Sequence, residues 1–507
     1  MNQTHPVIVI GGGLAGLSAA VHLAEAGCQP LLLEAAPRLG GRVAGGETVT
    51  LEHGGQPWHF TAEHGIHGLW GQYHNLRALL ARCAPEHLLV PAYREDWLHA
   101  DGSRVRRAEA GSVVRRSIFP APFHYLGLLA RPSFLAMLTP ADLIGLPRVV
   151  GSLYLALAYD PLGETTPLAG RTVAELFTAW PPRLRAFLTA LMRSGLADQP
   201  DQVPLSGFLA FLRFYTLLRR DAWAFSYFPA DSGTALIAPL AAAITAHGGT
   251  IRTNADVGQV KWEETGWRVQ WAESTTAYSA AARHLIVALD APAAQRLFSR
   301  SPTTAAHAAE LHWPTGLATG VVRLWFDRAP AQGAESGICS GEFTIDNFFW
   351  LHQFQTDVAD WHRVTGGSLV EAHIYGPPAV LELPDATLLA RAISDIQRAY
   401  PELRGHLIHQ TLQRNQASHT RFGAGSAANQ LAVASPWPQL SCCGDWIAHP
   451  HPALFLERAT VTGIAAAAEA CATLDRPAPS IIPASPPEAP ARALERALRR
   501  VRKRVRG

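Results

Sequence analysis

Three glycines and one acid near the N-terminus have the types and spacing to hold a dinucleotide: Gly11, Gly13 and Gly16, followed by Glu34. In such a set the first glycine permits a tight turn, the second lets backbone approach a pyrophosphate, and the third lets a helix pack closely on a strand. The phosphate charge then sits at the helix N-terminus, here Leu14 and Ala15. Glu34 stands 18 residues after Gly16, where a carboxylate accepts hydrogen bonds from a ribose diol and disfavours a 2′-phosphate.

The elements that must position these groups surround them. Residues 7–10 form an apolar, β-rich run of the kind buried on both faces. Leu17, Val21, Leu23 and Ala24 then recur at helical spacing up to a stop at Gly27, and residues 31–33 read as a second buried strand. This is one βαβ unit. It continues into Pro37, Arg38, Leu39, Gly40, Gly41 and Arg42.

With 507 residues, 48% of them hydrophobic, the chain buries a substantial core, and its length suggests two or three domains. The net charge of +2 hides an asymmetry: residues 491–507 carry eight of the 43 Lys and Arg and a single Glu. The rest is mildly acidic, which argues against a nucleic-acid partner. Six cysteines are scattered without paired spacing, and His449 and His451 have no evident third ligand, so no metal is expected. Residues before the first strand lack a basic and apolar pattern, so no signal peptide is expected, and residues 119–159 contain no uninterrupted apolar span, so a cytoplasmic protein without a transmembrane helix is expected.

The continuation through Gly40, Gly41 and Arg42 resembles the carotenoid desaturase and flavin amine oxidase superfamily, in which these residues lie along FAD. The stretch EHGIHGLWGQYHNLRALL, from Glu63, resembles plant-type phytoene and ζ-carotene desaturases, and more closely the isorenieratene synthase-like branch of carotene desaturase/methyltransferases. The resemblance implies that Gly65, Ile66 and His67 reach the flavin ring. It also implies that the strand at Val257 contacts the adenosine end by its backbone, and that Gly444 and Asp445 place a carboxylate on the ribityl or phosphate region. The helix from Leu454 onward would point its N-terminus at the flavin pyrimidine, where a helix dipole stabilises negative charge. Arg38, Gly41 and Arg42 complete the expected cofactor set.

The expected fold class is α/β: a Rossmann-like FAD-binding domain of the GR2 type with a discontinuous sheet, joined to a β-sheet plus helical substrate domain. FAD-binding residues 1–84, 231–300 and 431–474 alternate with substrate-domain residues 85–230 and 301–430. A turn at Asp101 and Gly102 predicts a hairpin, and apolar helices broken by proline follow from residue 119. Period-two geometry puts Trp350 with His352 on one strand face, and Glu371 with His373 and Tyr375 on another.

The resemblance implies an FAD-dependent oxidoreductase that abstracts hydride from an allylic carbon of a carotene, and in an aromatising branch also migrates a ring methyl group. Glu63, His67, Glu371 and His373 are the candidate catalytic bases or cation stabilisers. The electron acceptor is unidentified. A flavin amine oxidase is the alternative enzyme, although the chain's two lysines, Lys261 and Lys503, do not suit the flavin-side lysine often found there. A non-catalytic flavin- and carotenoid-binding protein is the other alternative. Residues 475–490 read as a flexible Pro-rich linker and 491–507 as a basic amphipathic tail. Leu494, Leu498, Val501 and Val505 form one apolar stripe among arginines, which predicts peripheral attachment to an anionic membrane surface.

Overall fold

The computed structural model describes residues 3–86, 89–163, 168–423 and 429–506. Its first sheet grows around Gln3–Ile10, which lies between Leu31–Leu33 and Thr276–Val287, all parallel, with Ile8 level with both Leu31 and Leu285. Pairing at both edges and helices on the faces leave Val7 to Ile10 buried, which is why the run is apolar without alternation. Thr250–Arg252 and Leu440–Cys442 extend the parallel part. Gly266–Glu273 and Asp256–Glu263 add antiparallel strands to seven in all. The chain therefore leaves this sheet after Leu33 and after Val287, returning each time from elsewhere in the fold. The fold is α/β, with a dinucleotide-binding sheet assembled from separated segments.

Helix Leu14–Glu25 packs against Phe455–Thr473 at one close crossing. A Cβ on Gly463 would lie 2.5 Å from the Ala15 carbonyl oxygen, so only glycine lets the two backbones meet. A further helix opens with a wide π-type turn over Gly233–Ile237 before Ala238–Ala246.

The second sheet has seven strands in the order Leu407–Thr420, Gly316–Phe326, Ser368–Ile374, Asn347–Trp350, Ser336–Gly341, Glu95–Asp101 and Arg104–Glu109. Alternation divides its residues between two faces. Leu98, Val322, Leu324, Phe348, Val370 and Ala372 share a core with helix Asp385–Ala399. The opposite face carries Glu95, Ser336, Phe349, Glu371 and Arg323, which stand in register across five strands. Helix Pro182–Leu196 crosses Ser336–Gly341. Strand pairing stops at Trp350, so His352 lies in a 3-10 turn and the expected shared strand face with Trp350 is not formed, although their rings remain 5.6 Å apart.

The C-terminal region differs from its expectation. The segment read as a flexible linker is fastened to the body: Asn75 exchanges two hydrogen bonds with the Ile482 backbone, at 2.8 and 2.9 Å, and Arg219 Nε donates to Ser485 O at 2.6 Å. Glu488 accepts from Arg220 N and Ala121 N. Helix Ala489–Arg506 then buries Ala491, packs Leu494 and Leu498 on the main core, and pairs Glu495 with Arg213 at 2.7 Å. Proline-rich composition specifies an extended chain but not its partners, and the body supplies those partners. Val501 is exposed, and the Val505 side chain lies outside the described residues.

Candidate functional site

The three glycines do different work. A Cβ on Gly11, at φ +105°, would stand 2.6 Å from Ala288 O, and one on Gly16 would stand 1.9 Å from Gly11 O. Both positions are closed by backbone. Gly13 is the N-cap of helix Leu14–Glu25, with no side-chain cap, and nothing lies within 4 Å of where its Cβ would be. Open space in front of uncapped N–H groups, Leu14 and Ala15 among them, fits an anion such as a pyrophosphate. Glu34 is fixed beside it by Gly12 N at 2.6 Å and Ala36 N at 2.8 Å, and its two oxygens keep acceptor capacity for a diol. Ala255 N donates to Glu34 O, which brings Val257, on the next strand, to this end of the sheet.

The following segment folds back on the glycine turn. Gly40 N donates to Gly12 O at 2.8 Å, and Gly41, at φ +56°, lies against Gly13. Arg42 then pairs with Asp445 at 2.7 Å, joining residues 403 positions apart. Burial alone would raise the Asp445 carboxyl, but the facing guanidinium brings it below the usual carboxylate range. Gly444 N and O are both bonded to Thr462 Oγ1 at 3.0 Å, anchoring that turn to helix Phe455–Thr473, whose N-cap is Leu454. Arg38 stands apart at the surface, bonded to Gly46 O and Glu47.

The loop from Glu63 is held down by the second sheet. Glu371 accepts from Ile66 N at 2.5 Å, pairs with Arg323 at 2.7 Å, and meets His373 Nε2 at 2.7 Å. His373 Nδ1 continues to Tyr375 Oη at 2.8 Å. Against the upward push of burial, Arg323 and His373 hold the Glu371 carboxyl at about 2. The expected grouping of Glu371, His373 and Tyr375 is thus a hydrogen-bonded chain. Glu63 takes another direction: its carboxylate accepts from Ser232 N and Gln355 Nε2, its carbonyl accepts from Arg323, and burial raises it to about 7. These bonds position the loop.

Four histidines, His64, His67, His373 and His419, gather near Arg42 and act on one another. Burial, reinforced by these neighbours, lowers His64 to about 3, and burial likewise lowers His67 and His419 to about 4. His64, His67 and His419 are therefore neutral at physiological pH. His67 Nδ1 and His419 Nε2 are buried without a hydrogen-bond partner. Among the described residues no group of His, Cys, Asp and Glu has metal-binding geometry. Orphaned polar atoms beside the glycine cradle and the Arg42–Asp445 pair fit a polar, flat cofactor.

Beyond Ile66 lies a cavity of roughly 150 Å³. Its floor is the second sheet, with Glu95 and Ser336 at one end and Asn347, His373 and Tyr375 at the other. Trp70, Trp223, Phe225, Tyr227 and Phe349 wall it, and Trp70 stands 4.0 Å from Phe225 and 5.5 Å from Trp223 between ring centroids. Sequence reasoning missed Glu95. The hairpin turn at Asp101 and Gly102 does not fix where its first strand begins, and only the cross-strand register reveals that Glu95 shares a face with Glu371.

The family model described as flavin containing amine oxidoreductase matches residues 14–471. The carotenoid phi-ring synthase of Streptomyces griseus is 30% identical over 492 residues, covering 91% of this chain and 86% of that protein. The 15-cis-phytoene desaturase of Arabidopsis thaliana is 25% identical over 273 residues, covering 51% of this chain and 43% of that protein. Among solved structures, wild-type putrescine oxidase bound to putrescine superposes with a TM-score of 0.68 at 16% identity, over 93% of this chain and 100% of its own. Cyclohexylamine oxidase from Brevibacterium oxydans does so at 0.64 and 16%, over 93% and 100%. These structures speak for the fold. The family match over most of the chain and a near full-length relative at 30% identity show that this protein, an oxidoreductase, belongs to the flavin containing amine oxidoreductase family.

Proposed function

We propose that the protein binds FAD and oxidises the end ring of a carotenoid to an aromatic ring, with migration of a ring methyl group. The cavity carries this reading. A cavity of about 150 Å³ is the size that accepts one six-membered carbon ring. It is too small for a folded polyene, and its walls are aromatic. The phi-ring synthase relative names the same kind of end group.

FAD in this site would supply a two-electron oxidant that accepts hydride from the ring. Gly13 and the N-terminus of Leu14–Glu25 would hold its pyrophosphate, Glu34 a ribose diol, and Arg42 with Asp445 the linking region. Gly65 to His67 would line the isoalloxazine, with His67 neutral so that it donates or accepts a hydrogen bond without adding charge. His373 donates from Nε2 to Glu371 and accepts the Tyr375 hydroxyl on Nδ1, so a proton leaving the ring would reach it through Tyr375, which also lines the cavity. The aromatic walls exclude water from a reactive cation.

A substrate dissolved in lipid requires the protein to meet a bilayer. The inward docking of Leu494 and Leu498 removes the apolar stripe once assigned to that task. Ile118, Phe119, Leu126, Leu135, Leu143 and Ile144 are exposed instead, Ile118 at 88% and Ile144 at 82%. The tail keeps Arg492, Arg496, Arg500 and Lys503 exposed on one helical face, and Ala121 N on Glu488 ties the two segments together. We assign membrane contact to this combined surface, apolar side chains entering lipid and the basic face meeting anionic headgroups.

The test is expression in cells that accumulate β-carotene, lycopene or phytoene in separate strains. Ring oxidation in the β-carotene strain, with four hydrogens lost per converted ring and aromatic proton signals in the product, is expected. Conversion confined to acyclic carotenes would refute the ring assignment.

A further inference from the structure

We propose that the cavity between Glu95 and His373 is a binding site for a positively charged six-membered ring, with Glu95 as its counter-charge and proton acceptor. This rests on the ring-oxidising reading and deepens it.

The register across the second sheet sets the geometry. Glu95 pairs with Ser336, Ser336 with Phe349 and Phe349 with Glu371. One row away on the same face, Trp97 is linked through Ile338 and Asn347 to His373. Glu95 and His373 thus close opposite ends of the cavity floor, three strand spacings or about 14 Å across the sheet and one row apart along it. Trp70, Trp223, Phe225, Tyr227 and Phe349 present π systems between them. Aromatic faces attract a cation and offer little to a neutral aliphatic ring beyond contact.

Glu95 is 5% exposed, with Trp97 Nε1 donating to one carboxyl oxygen at 3.0 Å. Its side chain makes no other hydrogen bond and no ion pair among the described residues. Facing groups are Arg115 from Gly111–Arg115, Glu109 from the neighbouring strand, and Asp96. Arg115 acts through space, since its own guanidinium is bonded to Ala92 O and Trp223 O. Burial, opposed by Arg115 and by the Trp97 hydrogen bond, raises Glu95 to about 7. A buried acid with one unengaged oxygen in an aromatic wall is suited to take a proton from a cation.

Hydride loss from the ring carbon beside the gem-dimethyl carbon, for which bound FAD would be the two-electron acceptor, leaves a ring cation. One methyl group shifts to that carbon with its bonding pair, leaving the positive charge on the carbon it left. The C–H bond on the newly methylated carbon then breaks, its electron pair forms the C=C bond, and the proton passes to the free Glu95 oxygen.

The probe is N,N-dimethylpiperidinium, a six-membered ring with fixed charge, against its neutral isostere 1,1-dimethylcyclohexane. Each is titrated into the purified flavoprotein by tryptophan fluorescence. The cation is expected to bind about tenfold tighter, with the preference reduced severalfold in Glu95→Gln to what the aromatic walls alone give, kept in Glu95→Asp, and weakening as pH falls below 7. Flavin content of each variant reports that it folds. Equal binding of both rings, or a preference undiminished in Glu95→Gln, overturns the inference. Flavin reduction by cyclohexylamine that depends on Glu95 overturns it too, by making the cavity an amine site. Because the titration uses no carotenoid, an intact ammonium preference without ring conversion supports the cation site and counts against the carotenoid reading alone.

Discussion

Replacing Gly13 with valine should separate folding from cofactor binding. Gly13 has φ −72° and ψ 176°, an extended conformation open to valine, and no atom lies within 4 Å of its Cβ position. The apoprotein therefore loses little beyond the difference between glycine and valine at an N-cap, about 1 kcal/mol. In a chain of this size that shifts Tm by about 2 °C or less. The valine methyl groups instead occupy the space in front of the helix N-terminus. Losing two charge-assisted hydrogen bonds to a pyrophosphate, at roughly 1.5 kcal/mol each, weakens binding by about 3 kcal/mol, or roughly 150-fold in Kd. Gly16→Ala is the contrast, because its Cβ would sit 1.9 Å from Gly11 O and neither backbone can yield. That change should remove several kcal/mol and most soluble protein. The assays are flavin absorbance per mole of protein and thermal unfolding of the flavin-stripped forms. A Gly13→Val protein that purifies with stoichiometric flavin, or whose apo form is as damaged as Gly16→Ala, would refute the reasoning.

Glu371→Gln leaves Arg323 buried without its counter-ion and should reduce stability by about 3 kcal/mol, measured as a lower urea midpoint at pH 7. Because Glu371 and Asp445 lie below their unfolded values, their contribution is present above the ordinary carboxylate range and disappears as pH falls through the folded values. The histidines act earlier: His64, His67 and His419 stay neutral when folded but take up protons on unfolding below pH 6.5, so urea midpoints should begin falling there. Substituting all three by glutamine should lessen the slope between pH 6.5 and 5, with His124, His284, His352, His449 and His451, likewise lowered by burial, supplying the remainder; an unchanged slope would count against the neutrality of the three. Ile118→Glu with Ile144→Glu should abolish sedimentation with anionic liposomes while leaving flavin content intact; full retention would place the membrane surface elsewhere. Deleting residues 489–507 should lower Tm as well as liposome binding, since Ala491, Leu494 and Leu498 leave the core, and an unchanged Tm would contradict the docking.

Local spacing carried the cofactor half of the protein. The glycines, Glu34 and the Gly40-Gly41-Arg42 run are close in sequence, and each answers to one backbone requirement, so residue type reveals it. Arg42 and Asp445 were assigned separately to the cofactor by resemblance, but their pairing across 403 residues was not legible, because chain order does not tell which turn meets which. The substrate half depends on register. Glu371, His373 and Tyr375 alternate on one strand and were found together, whereas Glu95 reaches their face only through two intervening strands that a single sequence does not align. The tail failed for the opposite reason. Its amphipathic pattern was read correctly, but a stripe of Leu494 and Leu498 is equally suited to a bilayer and to a protein groove, and the choice lies in whether the body offers one. Here Arg213, Arg220 and Asn75 meet polar groups of that segment, Glu495, Glu488 and the Ile482 backbone. Such pairing has no counterpart in lipid, so the apolar stripe turns inward and the arginines opposite it, Arg492, Arg496 and Arg500, are left exposed at the surface.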